Sequence, residues 1–293
     1  AIEILLEAVS ERNIASRAAL ISSLPESLSK LTREKCFKNG IVPLQGLPES
    51  LEALHHSSRI RRIWNEWSLP KIYSFQNNDF STKILNEYES KNLLTKYGFN
   101  IPNSFLVTSE KVLEVAKLIC YPVVLKVVNS DIMHKTEVEA VKLNLKTDSE
   151  VKLALSRIKG FGDYFLVEEM ITDNVAEFLL GVTSDSKFGP TITVGAGGIF
   201  TELLEDKVTF LLPVSKEEVR RAIRKLKINT ILQGWRGRKT CDSESLIEAV
   251  QNFANFVENH IDSLLECEIN PLIVSSCGRK VTVADALIIL KEK

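Results

Sequence analysis

Cysteine pairs at metal or redox spacing are missing from this sequence. Its five cysteines, Cys36, Cys120, Cys241, Cys267 and Cys277, are scattered, odd in number and without a CxxC motif. That pattern argues against a disulfide framework and against a zinc site. An excess of one charge is missing as well. The net charge is −1, so no basic field points to nucleic acid or to an anionic membrane surface. Apolar runs stay far short of a membrane span, and no signal peptide opens the chain. A cytoplasmic protein is expected. The first residues, "AIEILLEAV", fall inside a helical pattern without an initiator Met and read as part of something longer. The 293 residues suffice for two domains with buried cores.

What is present begins with an α/β pattern over residues 1–65. "AALISS" and "IVPL" read as short parallel strands. Between and after them lie the helical stretches "SLSKLTREKCFKN", closed by Gly40, and "PESLEALHHSSRIRRIW", with Pro48 near its first turn. This is too little for a complete doubly wound sheet. Residues 66–82, "EWSLPKIYSFQNNDFST", lose periodicity and read as a linker. From about residue 83 a second unit begins. Its first helix, "LNEYESKNLLTKYG", puts Leu85, Tyr88, Leu93 and Leu94 roughly on one face and stops at Gly98. Helix "DSEVKLALSRI" is expected to be capped by Asp148 or Ser149. Strands dominate residues 164–212, two helices follow, and "LLECEINPLIV" and "KVTVADALIIL" close the chain as a strand pair. The expected class is α+β, with sheets facing each other across a cleft.

Four places carry candidate chemistry. Lys126 sits inside the apolar run Val123–Val128, with Val124, Leu125, Val127 and Val128 around it. A single strand lysine more often points outward at an edge. A buried ammonium requires an anion, and a phosphate would serve. Next, "VGAGGIFTELLEDK" offers Gly195, Gly197 and Gly198, where backbone amides approach a phosphate without Cβ interference, followed by Glu202, Glu205 and Asp206. A glycine cluster alone more often marks a turn. Third, Asn270 at the end of one strand and Asp285 within the next supply hard oxygen ligands of the kind Mg²⁺ takes beside phosphates, with Glu268 on the face of Asn270. Otherwise Asn270 caps a turn before Pro271. Last, "FLVEEMI" ends an apolar strand in a short polar stretch suited to reading a base edge. His134, alone in the polar turn "NSDIMHKT", looks by itself like surface decoration.

Together, "EYESKNLLTKYGFNIP", "YPVVLKVVNSDIMHKT", "FGPTITVGAGGIFTELLEDK", "GWRGRK" and "ECEINPLIV…VADALIIL" resemble the ATP-grasp portion of the ADP-forming acyl-CoA synthetases, relatives of succinyl-CoA synthetase. The motifs are collinear over residues 83–291, and residues 1–65 look like the tail of the α/β ligase domain that precedes the ATP-grasp domain in fused members. The resemblance implies an ATP-grasp fold, two α+β subdomains around a nucleotide cleft, over residues 83–293. It implies ATP or ADP with Mg²⁺ as cofactors, and the reaction of an acid, CoA and ATP to acyl-CoA, ADP and phosphate. Lys126 would hold phosphates; Glu168, Glu169, Met170 and Ile171 would form the adenine hinge. Glu177 would contact ribose or phosphate, and Gly195, Gly197 and Gly198 would approach phosphate, with Glu202 beside them. Asn270 and Asp285 would bind the metal. His134 matches a histidine that relays a phosphoryl group, a labile phosphoramidate suiting reversible transfer. Arg236 is a candidate for charge stabilisation at the transferring group, although an exposed turn arginine is an equal reading.

The family pattern has paired glycines where this chain has Glu139 and Ala140, which add bulk and negative charge on the phosphoryl path. The glycine-rich primary phosphohistidine segment and the CoA-binding domain do not occur in this sequence. Partner domains, or an alpha subunit, would supply them together with the CoA and carboxylic-acid sites, in an oligomer. The alternative is an ATP-grasp binding or regulatory module with impaired turnover.

Overall fold

The computed structural model describes residues 18–66, 81–128, 140–198, 205–234 and 240–292, except 186, 277 and 279, together with residues 3, 4 and 7. The chain divides into two compact units, residues 1–67 and 68–293. In the first, β1 (Ala18–Ser22) and β2 (Ile41–Gln45) pair in parallel, Ala18 opposite Ile41. Parallel neighbours need a crossover, and α1 (Lys30–Lys38) lies within it. The Ser29 hydroxyl caps α1 by accepting the Thr32 N–H at 3.2 Å. Gly40, at φ +71°, follows the helix in the left-handed region that a side chain disfavours. Helix α2 (Leu47–Glu66) closes the described part of this unit.

The second unit contains two antiparallel sheets. The smaller has the order β4 (Ser104–Thr108), β7 (Tyr164–Glu169), β5 (Val123–Val128), β6 (Val141–Leu145). Helices α4 (Val112–Ile119) and α5 (Asp148–Ile158) cover one face of it. Val112, Val115, Ala116, Val151, Ala154 and Ile158 meet Val123, Leu125, Val127, Phe165 and Val167 in a core of their own. The larger sheet has the order β10 (Lys207–Leu211), β9 (Gly189–Ala196), β8 (Ala176–Asp185), β11 (Leu264–Val274), β13 (Ala286–Lys291), β3 (Thr82–Leu85), with β12 (Thr282–Val283) on β11. Its core is filled from α6 (Lys216–Ile223), α7 (Asn229–Leu232) and α8 (Ser243–Asn259). On α8, Leu246, Val250, Phe253 and Val257 form an apolar stripe at three- and four-residue spacing, the pattern of a helix lying on a sheet. Leu94, from α3 (Glu87–Thr95), belongs to this larger core.

Several local expectations are corrected. Helix α5 is capped by Thr147, whose hydroxyl accepts the Glu150 N–H at 3.2 Å; Asp148 is already helical, and its carboxylate pairs with Lys117 and Tyr121 instead. Leu85 is the last residue of β3 and not part of a helical face. Asn86 begins α3 with a reciprocal cap: its side chain accepts the Glu89 N–H and Glu89 accepts its N–H, at 2.9 and 3.0 Å. Helix α2 reaches Glu66 and β3 starts at Thr82, so both ends of the segment read as a linker are regular structure; residues 67–80 lie outside the described residues. Asn270 stands inside β11, at the irregularity between Ile269 and Leu272, and not at a strand end. Asp285 lies in the break between β12 and β13 and not within a strand.

Candidate active site

Strand β5 supplies the central cation. Val123, Leu125 and Val127 join the smaller core, so by strand alternation Lys126 faces away from it. On β7 the same alternation turns Leu166 and Glu168 to that outer face, with Leu166 opposite Lys126 and Glu168 opposite Val124. Helix α3 brings Glu87 and Lys91 to this face; with Ser90 and Leu94 they form an i, i+3, i+4, i+7 stripe that is buried although half of it is charged. The break after β12 turns the Ala284 carbonyl toward the same point.

These groups form one buried ionic cluster. The Lys126 ammonium donates to Glu87 Oε1 at 2.6 Å and to the Ala284 carbonyl at 2.8 Å, and lies 2.9 Å from Glu168 Oε2. The Lys91 ammonium donates to Glu87 Oε1 at 2.9 Å, to the Ala284 carbonyl at 3.1 Å and to Glu168 Oε1. Two ammoniums thus share three acceptors. Burial alone would push the Lys126 pKa down. The charges of Glu87, Glu168 and Asp285, with the hydrogen bond to Glu87, outweigh it and hold the pKa above that of an ordinary lysine. The carboxylates in direct contact with Lys126 are those of Glu87 and Glu168. With the Glu168 side chain in the cluster and its backbone in the ladder, Glu168 is not a free hinge group. The next two residues are engaged as well: the Glu169 N–H donates to Asn103 O at 2.9 Å and the Met170 N–H to Pro122 O at 3.1 Å. From Ile171 to Asn174 the chain runs without regular structure.

The oxygen donors adjoin this cluster. Asp285 follows Ala284, and its carbonyl accepts the Asn270 N–H at 3.2 Å. The Asn270 Oδ1 accepts the Gly198 N–H at 2.9 Å, and its Nδ2 donates to Glu268 Oε1 at 3.3 Å. Lys126, Asp285, Asn270 and Gly198 are thereby linked through successive residues and hydrogen bonds. Gly198 has φ +66°, and a methyl there would strike the Glu177 carboxylate. Glu177 also accepts from Asn174 at 2.6 Å. Gly195 and Gly197 are required by packing. A methyl on Gly195 would lie 2.7 Å from the Asp206 carbonyl, and one on Gly197 would enter the Phe178 main chain. Close strand approach requires both glycines. Asp206 caps the turn before α7, accepting the Lys227 and Ile228 N–H groups at 2.8 and 2.7 Å. His134, Glu139, Glu202 and Arg236 lie outside the described residues.

The donor set fits a hard cation. Among the described residues no group of three or more His, Cys, Asp or Glu side chains forms a metal cage. An amide oxygen with a spare lone pair, from Asn270, and a carboxylate from Asp285 are donors of the type Mg²⁺ takes, its remaining ligands coming from water and phosphate. Glu87 and Lys91 escaped sequence reasoning. The available signal was their four-residue spacing with Leu94 on the same face, which reads as a surface ion pair unless burial is known.

Comparison with known proteins identifies the family. The model of the ATP-grasp domain matches residues 78–290. The beta subunit of acetate–CoA ligase [ADP-forming] II from Pyrococcus furiosus is 33% identical, the match covering 70% of this chain and 91% of that protein. The 4-hydroxybutyrate–CoA ligase [ADP-forming] of Nitrosopumilus maritimus is 30% identical over 97% of this chain but only 44% of its own length. Among solved structures, the dinucleotide-forming acetyl-coenzyme A synthetase 1 of Ca. Korarchaeum cryptofilum, in complex with coenzyme A and Ca-AMPCP, superposes with a TM-score of 0.65. That match has 31% identity and covers 71% of this chain and 93% of that one. In a second structure of the same enzyme, with Mg-AMPPCP, a phosphohistidine segment points towards the nucleotide-binding site. A family model matching most of the chain, and a beta subunit matched over nearly its whole length, lead to one statement: this chain belongs to the ATP-grasp family, in the branch of the ADP-forming acyl-CoA synthetases.

Proposed function

We propose that this chain binds an adenine nucleotide with a divalent cation and performs the nucleotide-side phosphoryl transfer of an ADP-forming acid–CoA ligase. One observation carries the reading: the Lys126 ammonium bonds the Ala284 carbonyl, adjacent to Asp285, whose own carbonyl holds Asn270. A phosphate-binding cation and two oxygen donors thus belong to one connected network. Lys126 would hold phosphate oxygens, and Asn270 and Asp285 would hold Mg²⁺, which neutralises phosphate charge when bound. Glu177 and the 169–171 stretch lie at the ribose and adenine end of this reading. His134 would take the phosphoryl group, a P–N bond forming as the bond to ADP breaks, with Arg236 offsetting charge at the transferring group.

Acyl-CoA formation needs more than this chain, and the support for a partner is local. Among the described residues the first unit holds a two-stranded parallel sheet, smaller than parallel sheets that stand alone. This fits the tail of an α/β CoA-ligase domain completed by partner domains or an alpha subunit that hold CoA and the acid. No helix among the described residues is long and apolar enough to cross a membrane; a cytoplasmic enzyme is the corresponding proposal.

A second reading, a binding module with impaired turnover, draws on a separate observation. The Lys126 ammonium already bonds Glu87 and the Ala284 carbonyl and lies 2.9 Å from Glu168 Oε2, so the chain's own groups engage it. The test is acyl-CoA formation with the partner domains supplied. His134→Ala is expected to abolish turnover while nucleotide binding persists. Full turnover in His134→Ala would overturn the relay; no turnover in the parent assembly would favour the module.

A further inference from the structure

Lys91 and Lys126 compete for the same acceptors. Glu87 Oε1 receives both ammoniums, at 2.9 and 2.6 Å, and the Ala284 carbonyl receives both, at 3.1 and 2.8 Å. Glu168 divides its two oxygens between them. The side chains of Lys91, Glu87 and Glu168 are at most 2% exposed, whereas that of Lys126 is 7% exposed. Lys126 is the more accessible of two otherwise equivalent cations. For Lys126 to contact a phosphate it must release at least one acceptor. A carboxylate released in a buried site without another cation is strongly unfavourable. Here every acceptor that Lys126 can release still bonds Lys91.

We propose that Lys91 is a positioning residue for Lys126: by remaining paired to Glu87, Glu168 and the Ala284 carbonyl, it leaves the Lys126 ammonium available to an entering nucleotide phosphate. This rests on the reading of Lys126 as the phosphate ligand. The groups in direct contact are two ammoniums and two carboxylates, with the Asp285 charge also acting on Lys126, so the balance among them sets how strongly Lys126 is held. Loss of the Lys91 charge takes one cation away from Glu87 and Glu168; Lys126 is then bound more tightly, and the added negative charge opposes phosphate. Loss of the Glu87 charge has the reverse effect. A merely structural role would make every substitution harmful in the same direction, whereas an electrostatic role gives opposite signs.

The experiment is calorimetric titration of the 293-residue chain with ADP and Mg²⁺, and with adenosine, which has no phosphate. Lys91→Met is expected to weaken ADP binding at least about tenfold, the low end of what a unit charge within several ångströms is worth in a buried site. Glu87→Gln is expected to tighten it, and the double variant to return it close to the parent value. Adenosine affinity should stay constant throughout. Weaker ADP binding in all three variants, or equal losses for ADP and adenosine, would overturn the proposal. If Lys91→Met does not fold, Glu87→Gln decides, since unchanged or weaker ADP binding there also overturns it. Lys126→Met separates the two levels. Unchanged ADP affinity in that variant refutes the phosphate site itself, whereas a loss there without opposite signs at Lys91 and Glu87 refutes only the role of Lys91.

Discussion

Replacing Lys126 by Met removes one of two ammoniums from a cluster whose four side chains are 1–7% exposed. Met keeps the length of the stem and its contacts, so the change is chiefly electrostatic. Two buried carboxylates are left to share Lys91. Breaking a buried ion pair in this way costs about 3–5 kcal/mol. For a unit of the size of residues 68–293, about 2–4 °C is lost per kcal/mol, so the melting temperature should fall by roughly 6–20 °C. Adding Glu87→Gln removes one of the carboxylate charges left in excess and should recover most of the loss. Differential scanning calorimetry of the full chain measures both. The sign of the pH dependence follows from the raised Lys126 pKa. The contribution is complete below the ordinary lysine value of about 10.4 and is lost only as pH rises through the higher folded value. The deficit of Lys126→Met should therefore be equal at about pH 6 and about pH 9. A deficit under about 1 kcal/mol, or a double variant that loses the sum of both single losses, would refute the reasoning.

Other outcomes follow from single contacts. Gly198→Ala meets both a left-handed φ of +66° and the Glu177 carboxylate, and should cost about 1–2 kcal/mol or more in urea unfolding; Gly160→Ala, with open space around it, should stay within about 0.5 kcal/mol. Asp242→Ala removes the cap of α8, where the carboxylate accepts the Ser245 N–H at 3.0 Å, and should cost about 1 kcal/mol by the same assay. That bond holds the Asp242 pKa below its usual value, so the cost is full above about pH 4 and fades as pH falls through the lowered value. With partner domains present, Glu139→Gly together with Ala140→Gly should raise the rate of acyl-CoA formation if the negative charge at Glu139 slows phosphoryl transit. Because the Ala140 methyl is fully buried, the same pair should lower the melting temperature.

The sequence shows most of the elements, because their patterns are local. The apolar stripe of α8 and the runs of β5 and β7 are set by near neighbours. The apolar residues flanking Lys126 raise the question of a buried cation, although a strand lysine more often points outward; the structure buries it. Its partners were not recognisable, since Glu87 lies 39 residues away and Ala284 158 away, and the latter acts through its carbonyl, which side-chain chemistry does not reveal. Glycines illustrate the same limit. A cluster at 195–198 can serve a phosphate or close strand packing, and only the neighbouring strands show that Gly195 and Gly197 serve packing. Asp285 looked like a strand residue because Val281, Val283 and Ala286 around it are apolar. The ladder breaks there, with the Ala284 carbonyl turned to two ammoniums.

The nucleotide site is tested most directly by titrating the chain with ADP in the presence and absence of Mg²⁺, beside Lys126→Met and Asp285→Asn. Expected are Mg²⁺-dependent binding in the parent, a loss of affinity of about tenfold or more in Lys126→Met, and a loss of the Mg²⁺ dependence in Asp285→Asn. Equal ADP affinity in all three proteins, with or without Mg²⁺, would contradict a nucleotide and cation site at Lys126, Asn270 and Asp285.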